Sequence, residues 1–287
     1  MSVSVDNSFR HDFCPFCRAL DIVKVGVINY DLPILFSSTK IELLNSPELW
    51  RCRRCFSGFT QNAITPDEAL RLYTNSESSL RWSDTPFERQ KMPEVVQAMK
   101  SVFSSCRHVV DVGCNTGELL DFAKSLGCKT TGVELSTGSR TKLLEKGHTF
   151  TSALRNLQDQ SADVITAFDL IEHVHDINAF LSLCGKKLKV GGKLMVLTGN
   201  INCVSSRLAG SDWWYSRYPE HIAFPSRSFV ARWSGFELLE AIPTYASIGY
   251  RAHRIRSILS WIVRTPLGKY RGLPAIGPDH YLYILKK

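Results

Sequence analysis

The stretch Val109-Val110-Asp111-Val112-Gly113-Cys114-Asn115-Thr116-Gly117 decides the fold. An apolar strand runs into a turn bearing two glycines, and Glu118 to Leu126 then repeats apolar residues with helical period. A strand, a tight glycine turn and a helix make a nucleotide site at the carboxyl edge of a parallel sheet. Gly113 and Gly117 permit close backbone approach, although Gly-x-x-x-Gly alone also fits a plain strand-to-helix turn. The next unit discriminates. Thr130-Thr131-Gly132-Val133-Glu134-Leu135-Ser136 is a second strand ending in an acid, 17 residues beyond Gly117. A carboxylate there can accept hydrogen bonds from two ribose hydroxyls, whereas a solvated strand end is the plainer reading. Outward from these units the pattern predicts a helix over 139–146, a strand over 162–168, a helix over about 177–188, a turn at Gly191-Gly192 and a strand over 193–198. A last strand over 280–285 is expected at the sheet edge. Upstream, 66–73 opens like a helix behind Pro66, 75–79 is a polar boundary, and 87–103 has helical spacing. Alternating strands and helices predict a doubly wound α/β sheet.

The 287 residues are 44% hydrophobic and 22% charged, close to the globular average, which argues against a disordered or fibrous chain. No apolar run approaches the ~18 residues of a membrane span. Residues 1–13 lack the apolar core of a secretory signal, so a cytoplasmic location is expected, with peripheral membrane contact as an open question. The net charge of +8 is concentrated: residues 251–287 hold eight basic side chains and one acid, a balance of +7. A local basic patch points to a phosphate-bearing partner or an anionic surface. Within it, Ile255, Ile258, Leu259, Ile262 and Val263 share one helical face, with Arg254, Arg256 and Arg264 on the flanks and back. Such a helix is expected to pack on its own domain. The alternatives are a helix lying on an anionic membrane or gripping a phosphate-bearing acceptor.

Nine cysteines, an odd count with close pairs, suit a reducing compartment and metal-binding thiols. Cys14-Pro15-Phe16-Cys17 and Cys52-Arg53-Arg54-Cys55 are two C-x2-C knuckles separated by 34 residues, with short strand material between them and a turn near Asn29-Tyr30-Asp31. Each knuckle can hold two sulfurs about 3.7 Å apart, matching a tetrahedron with Zn–S bonds of about 2.3 Å. Four buried reduced cysteines, or a redox C-x2-C, are the alternatives; two knuckles near ribbon spacing favour zinc. Cys14, Cys17, Cys52 and Cys55 leave no open coordination position, so the zinc is expected to be structural. Arg51, Arg53 and Arg54 are expected to offset the formal charge of the four-thiolate centre.

Residues 110–117 resemble the first motif of class I S-adenosylmethionine-dependent methyltransferases, and 132–136 resemble their ribose-binding strand. Phe168-Asp169-Leu170-Ile171-Glu172-His173-Val174 is similar to a segment common in the small-molecule branch, including the ubiquinone-type enzymes. Leu188-Lys189-Val190-Gly191-Gly192 resembles the turn before that family's fifth strand. Two departures are Asn115, where many members have glycine, and Gly199, where related sequences often have proline. A third is that no acid follows the third strand near Thr151-Ser152-Ala153. The ribbon together with 210–214, 219–221, 226–228 and 235–237 resembles a narrower subfamily often associated with sugar or surface-polysaccharide biosynthesis. The resemblance implies a seven-stranded Rossmann-like methyltransferase sheet behind a small zinc-ribbon module. The implied division is 1–65 ribbon, 66–104 helical bridge and 105–287 methyltransferase domain, with a lid at 201–225 and a basic insertion at 250–279.

The resemblance also implies S-adenosylmethionine as donor substrate, held by Asp111, Gly113, Asn115, Gly117, Glu134, Leu135, Asp169 and Leu170. Asp111 would hold the donor's ammonium end, and Asp169 and Leu170 would flank the reacting centre. Methyl transfer from a sulfonium is an in-line displacement, so alignment of the acceptor is the protein's main task. A hydroxyl acceptor needs a base, and histidine suits neutral pH. His221 and His173 are the candidates; each has a structural alternative, His221 as an anchor of its loop and His173 as a helix cap. Trp213, Trp214 and Tyr215 can stack on an acceptor or pack as a hydrophobic lid. The expected acceptor is a small molecule, with a nucleotide- or lipid-linked sugar as the finer reading. One competing reading is an RNA-modifying methyltransferase that grips nucleic acid with the ribbon and basic C-terminus. Against it, the charge sits at one end, and neither an Asn/Asp-Pro-Pro-Tyr/Phe nor a Pro-Cys motif is present. A non-enzymatic scaffold is the other competitor.

Overall fold

The computed structural model describes residues 2–75, 85–233, 235–267 and 272–287. The polar boundary expected over 75–79 lies, apart from Asn75, outside them. In chain order, β1 (Val3–Val5), β2 (Ile22–Val27), β3 (Leu35–Phe36), β4 (Thr39–Leu43), β5 (Glu48–Cys52) and β6 (Gly58–Gln61) come first. Then α1 (Pro66–Thr74), α2 (Phe87–Gln90) and α3 (Pro93–Phe103) lead into an alternating run. That run is β7 (His108–Val112), α4 (Glu118–Ser125), β8 (Lys129–Val133), α5 (Thr137–Glu145), β9 (Thr149–Thr151), β10 (Ala162–Phe168), α6 (Ile177–Lys187) and β11 (Leu188–Gly199). Next come α7 (Val204–Ala209), β12 (Ala223–Phe224), α8 (Arg227–Val230), β13 (Glu237–Thr244), α9 (Ile248–Arg264) and β14 (His280–Lys286).

The central sheet has seven strands in the order β13-β14-β11-β10-β7-β8-β9. β9, β8, β7, β10 and β11 are parallel, and β14 runs antiparallel to both its neighbours. The chain winds outward from β7 toward β9 and then restarts at β10, so the order reverses between β7 and β10. A doubly wound sheet binds its ligand outside the carboxyl ends of the strands at such a reversal. Successive side chains of β7, β10, β11 and β14 enter opposite cores. Val110, Ile165, Leu194, Val196, Tyr283 and Leu285 face α6, α8 and the cysteine knuckles. Val109, Val164, Met195, Leu197, Leu282 and Ile284 face α3 and α4. Burial on both faces explains why these strands read as continuous apolar runs.

Four details depart from expectation. The helix expected over 87–103 is broken at Lys91-Met92, because a residue before proline disfavours helical geometry and Met92 is extended before Pro93. The last strand is not at the edge: β14 lies between β11 and β13, and β13, unpredicted, takes the edge. The apolar stripe of α9 is not packed inward: Ile255, Leu259, Ile262 and Val263 are exposed. Arg51 does not serve the cysteine cluster; its guanidinium donates to Ile201 O at 2.8 Å and Ser206 Oγ at 2.7 Å.

The segment after β11 is bound to the N-terminal strands. β12 pairs with β6 through Ala223↔Phe59 and Phe224↔Gly58, completing the sheet β12-β6-β5-β2. Trp213, Tyr215 and Phe224 share a core with Ile28, Leu49 and Ile201. Of the aromatic run, Trp213 and Tyr215 are therefore core of the segment after β11, and Trp214 is half-buried. Gly199 is required here: a Cβ would lie 2.3 Å from the Tyr215 ring, which gives the departure from proline a steric reason. We expect Gly199→Ala to lower stability by about 1–3 kcal/mol through overpacking, read from denaturant unfolding. An unchanged midpoint would show that the ring has room to move.

Candidate functional site

The carboxyl ends of β7 and β8 build a cradle from backbone. Gly113, Asn115 and Gly117 all adopt left-handed backbone, at φ +73, +46 and +89. Asparagine tolerates that region better than other side chains, which accounts for Asn115 where glycine is commoner. A Cβ on Gly113 would lie 2.9 Å from Leu170 Cδ1, so the turn after β7 and the turn after β10 touch. Glu134 is clamped by two amides: Asn115 N donates to Oε2 and Ser136 N to Oε1, each at 2.9 Å. Each oxygen keeps a second lone pair, so the carboxylate can still accept from a pair of hydroxyls. Leu135 beside it is exposed. Asp111 lies one strand inward, buried, accepting from Thr166 Oγ1 at 2.6 Å. Burial, reinforced by the charges of Glu134 and Glu118 and opposed by the Thr166 bond, raises its carboxyl to about 7. A cation placed nearby would favour its ionised form.

The end of β10 carries the other half. Asp169 is left-handed at φ +49, a strained geometry for a non-glycine residue, and its Oδ2 accepts from Lys91 Nζ at 2.6 Å. The break between α2 and α3 is what lets Lys91 reach it. Glu172 is fully buried and accepts from Tyr215 Oη and from Thr198 Oγ1, the latter at 2.9 Å. Burial, then the Asp169 charge, lifts its carboxyl to about 7. His173 Nδ1 meets Tyr73 Oη at 2.9 Å, and burial lowers the His173 pKa while Glu220 and Asp169 oppose the shift. His173 is not a helix cap: Asp176 Oδ1 accepts from Ala179 N and caps α6 itself. The rings of His173 and His221 stand 4.9 Å apart, edge to face. His221 Nδ1 lies 2.7 Å from Tyr215 O. A carbonyl can only accept, so Nδ1 carries the proton and Nε2 the lone pair.

The structure thus brings Asp111, Gly113, Asn115, Gly117, Glu134, Asp169 and Leu170 to adjoining strand ends and sets His173 and His221 beside each other. Sequence reading missed Tyr73 and Lys91, whose helices come from outside the sheet. It quoted Glu172 without a role and read Tyr215 only as an aromatic. Only Glu172 left a signal, a carboxylate directly beside a histidine in the segment 168–174.

Among the described residues, two groups of side chains can hold a metal. The sulfurs of Cys14, Cys17, Cys52 and Cys55 lie within 4.8 Å of one another, with Cys14–Cys55 and Cys17–Cys52 each at 3.6 Å. The two knuckles are alike: Arg18 N donates to Cys14 O, Phe56 N donates to Cys52 O, and Arg18 and Phe56 are both left-handed. Amides of Arg54 and Cys55 point at Cys52 Sγ, at 3.4 and 3.5 Å. The second group, Glu172, His173 and His221, also offers ligand atoms within 4.8 Å. There both Glu172 oxygens already accept from hydroxyls and His221 Nδ1 is committed to a carbonyl. Four sulfurs at tetrahedral spacing fit zinc; the second group reads as a hydrogen-bond network.

A glycine turn with a clamped acid thus lies on one side of the sheet reversal, and a histidine pair on the other. The methyltransferase-domain family model matches residues 85–241, over half of the chain, and the chain belongs to that family. It is 39% identical over 114 residues to a ubiquinone biosynthesis O-methyltransferase of Idiomarina loihiensis, covering 36% of this chain and 46% of that protein. The enzyme of that name from Thiobacillus denitrificans is 28% identical over 158 residues, 50% of this chain and 68% of its own. The chain thus spans under half the length of the Idiomarina protein. A SAM-dependent methyltransferase from Archaeoglobus fulgidus superposes with a TM-score of 0.45 at 21% identity, covering 68% of this chain and 92% of that one. Residues 1–84 lie outside the family match.

We expect Glu134→Ala to weaken S-adenosylmethionine binding by about 1.5–3 kcal/mol, the range for a hydrogen bond to a charged group. Titration calorimetry measures it, and unchanged affinity would place the ribose elsewhere.

Proposed function

We propose that the chain methylates a hydroxyl group of a small-molecule acceptor, with S-adenosylmethionine as donor and His221 as base. The observation that carries this reading is the bond between His221 Nδ1 and the Tyr215 carbonyl, which makes Nε2 the basic nitrogen of a ring that stands 4.9 Å from His173 at the carboxyl end of β10. The donor supplies a methyl group already activated by the positive sulfonium. The donor cradle of Gly113, Gly117 and Glu134 fits it, since a Cβ at either glycine would collide with neighbouring side chains. Asp111 in its ionised form neutralises the donor's ammonium end. Nε2 of His221 takes the acceptor's proton as the oxygen attacks, and the Tyr215 carbonyl, bonded to Nδ1–H, stabilises the cation that forms. Tyr215 is held by Glu172, and His173 by Tyr73, so the base sits in a pre-oriented frame.

The relatives are named as O-methyltransferases, which supports oxygen as the accepting atom. No feature of the described residues favours a nucleotide- or lipid-linked sugar, and the glycan reading has no support here. Against RNA, Arg51 of the ribbon is engaged with the segment after β11. No helix among the described residues is long and apolar enough to cross a membrane. We also propose that Cys14, Cys17, Cys52 and Cys55 hold a structural zinc ion in the N-terminal module.

His221→Ala should slow single-turnover transfer by roughly 10²–10⁴-fold with donor binding intact, and higher pH should partly restore the rate as the acceptor ionises unaided. A loss of acceptor affinity that pH does not restore would make His221 an anchor of its loop. A wild-type rate would move the base to His173.

The protein should purify with about one zinc per chain. Cys52→Ser should lower the metal content and destabilise the N-terminal strands, because binding free energy contributes directly to folding of such sites. Full metal occupancy in a variant lacking both knuckles would reject the assignment.

A further inference from the structure

Helix α9 carries a surface that methyl transfer does not use. It contains no acidic residue. Its inward face is aromatic: the Tyr250 ring stacks on Trp214 at 4.4 Å, and the Tyr250 hydroxyl accepts from Ala275 N at 2.8 Å. Tyr250 and Trp261 help to wall a cavity of 650 Å³ shared with Trp214 and Tyr218. At 3.6 residues per turn, Ile248, Ile255, Leu259 and Ile262 fall on the opposite face, with Val263 beside them. Ile255, Leu259, Ile262 and Val263 are 64%, 59%, 54% and 64% exposed. A helix packed on its own domain buries its aliphatic stripe; this one turns the stripe outward. Aliphatic residues exposed singly are ordinary, but a contiguous row marks an interaction surface.

Charge identifies what covers it. Arg251 and Arg256 flank the stripe on either side, Arg264 follows at its end, and all three are exposed. The helix carries four arginines and no acid. A second copy of the chain, packed stripe to stripe, would bring these cations against their own counterparts. An aliphatic row rimmed by arginines and free of acids matches anionic headgroups above an acyl layer.

We propose that α9 docks the protein on an anionic lipid surface. Ile255, Leu259, Ile262 and Val263 enter the boundary between headgroups and acyl chains, and Arg251, Arg256 and Arg264 meet lipid phosphates. Arg256 and Arg264 also line the cavity behind the helix, so docking brings the rim of that cavity to the headgroup layer.

The test is co-sedimentation of the full chain with vesicles of equal parts phosphatidylglycerol and phosphatidylcholine, beside vesicles of phosphatidylcholine alone. Wild type should partition onto the anionic vesicles and be released by high salt. The double variant Leu259→Glu, Ile262→Glu should bind at least about tenfold more weakly, with thermal unfolding and donor binding as checks that it folds. Charge reversal by Arg251→Glu with Arg256→Glu should abolish the preference for anionic lipid. Equal partition of the Leu259/Ile262 variant, or wild type left in the supernatant, would overturn the proposal. So would sedimentation velocity showing a wild-type dimer that this variant dissolves, which would assign the stripe to a second copy. Vesicle binding needs neither donor nor acceptor, so its failure is separate from failure of the proposed reaction.

Discussion

A carboxylate with no solvent exposure governs the arrangement around it. Removing a charged carboxylate from water costs several kcal/mol unless hydrogen bonds replace the lost hydration. Glu172 meets that demand with the hydroxyls of Tyr215 and Thr198, which come from the segment after β11 and from β11 itself. Much else follows from that demand. Tyr215 must lie flat against the backbone at Gly199, and its carbonyl then fixes the orientation of His221. The segment after β11 is thus fastened to the sheet beside the histidine pair. Burial and then the Asp169 charge raise the Glu172 carboxyl, while the two hydroxyl bonds oppose the shift.

The same economy of contacts joins the N-terminal module to the catalytic sheet. Asn178 on α6 donates to Pro15 O in the first knuckle, and Ser226, which caps α8, donates to Cys55 O in the second. Phe16 packs edge to face on Phe229 at 5.0 Å. The cysteine cluster is therefore continuous with the core on the α6 face of the sheet. Tyr73, brought in by α1, extends this continuity to the histidine pair on the carboxyl side.

The parts of this molecule that were legible in its sequence are those set by local periodicity and by backbone conformation. Strands buried on both faces stand out as apolar runs, and positions that need left-handed backbone stand out as Gly113 and Gly117. The glycine turn after β7 is made of such elements, so its shape could be read in advance. The acceptor side is made of contacts between segments distant in sequence. Lys91 and Asp169 are 78 residues apart, and Tyr73 and His173 are 100 apart. No spacing rule connects them. The outward face of α9 was hidden for a related reason. Periodicity shows that a helix has two faces, but which one meets the protein is decided by the partners available, here the aromatic side chains of the lid.

The pairing of β12 with β6 bears on how such a chain can be divided. The family match begins at residue 85, which invites excision of everything before it. A fragment cut there would leave Ala223 and Phe224 without their strand partner and would strip Ile28 and Leu49 from around Trp213. The matched region is thus smaller than the unit whose strand pairing and core are complete. In this chain the inherited boundary and the mechanical boundary fall in different places, and the N-terminal strands belong inside the second.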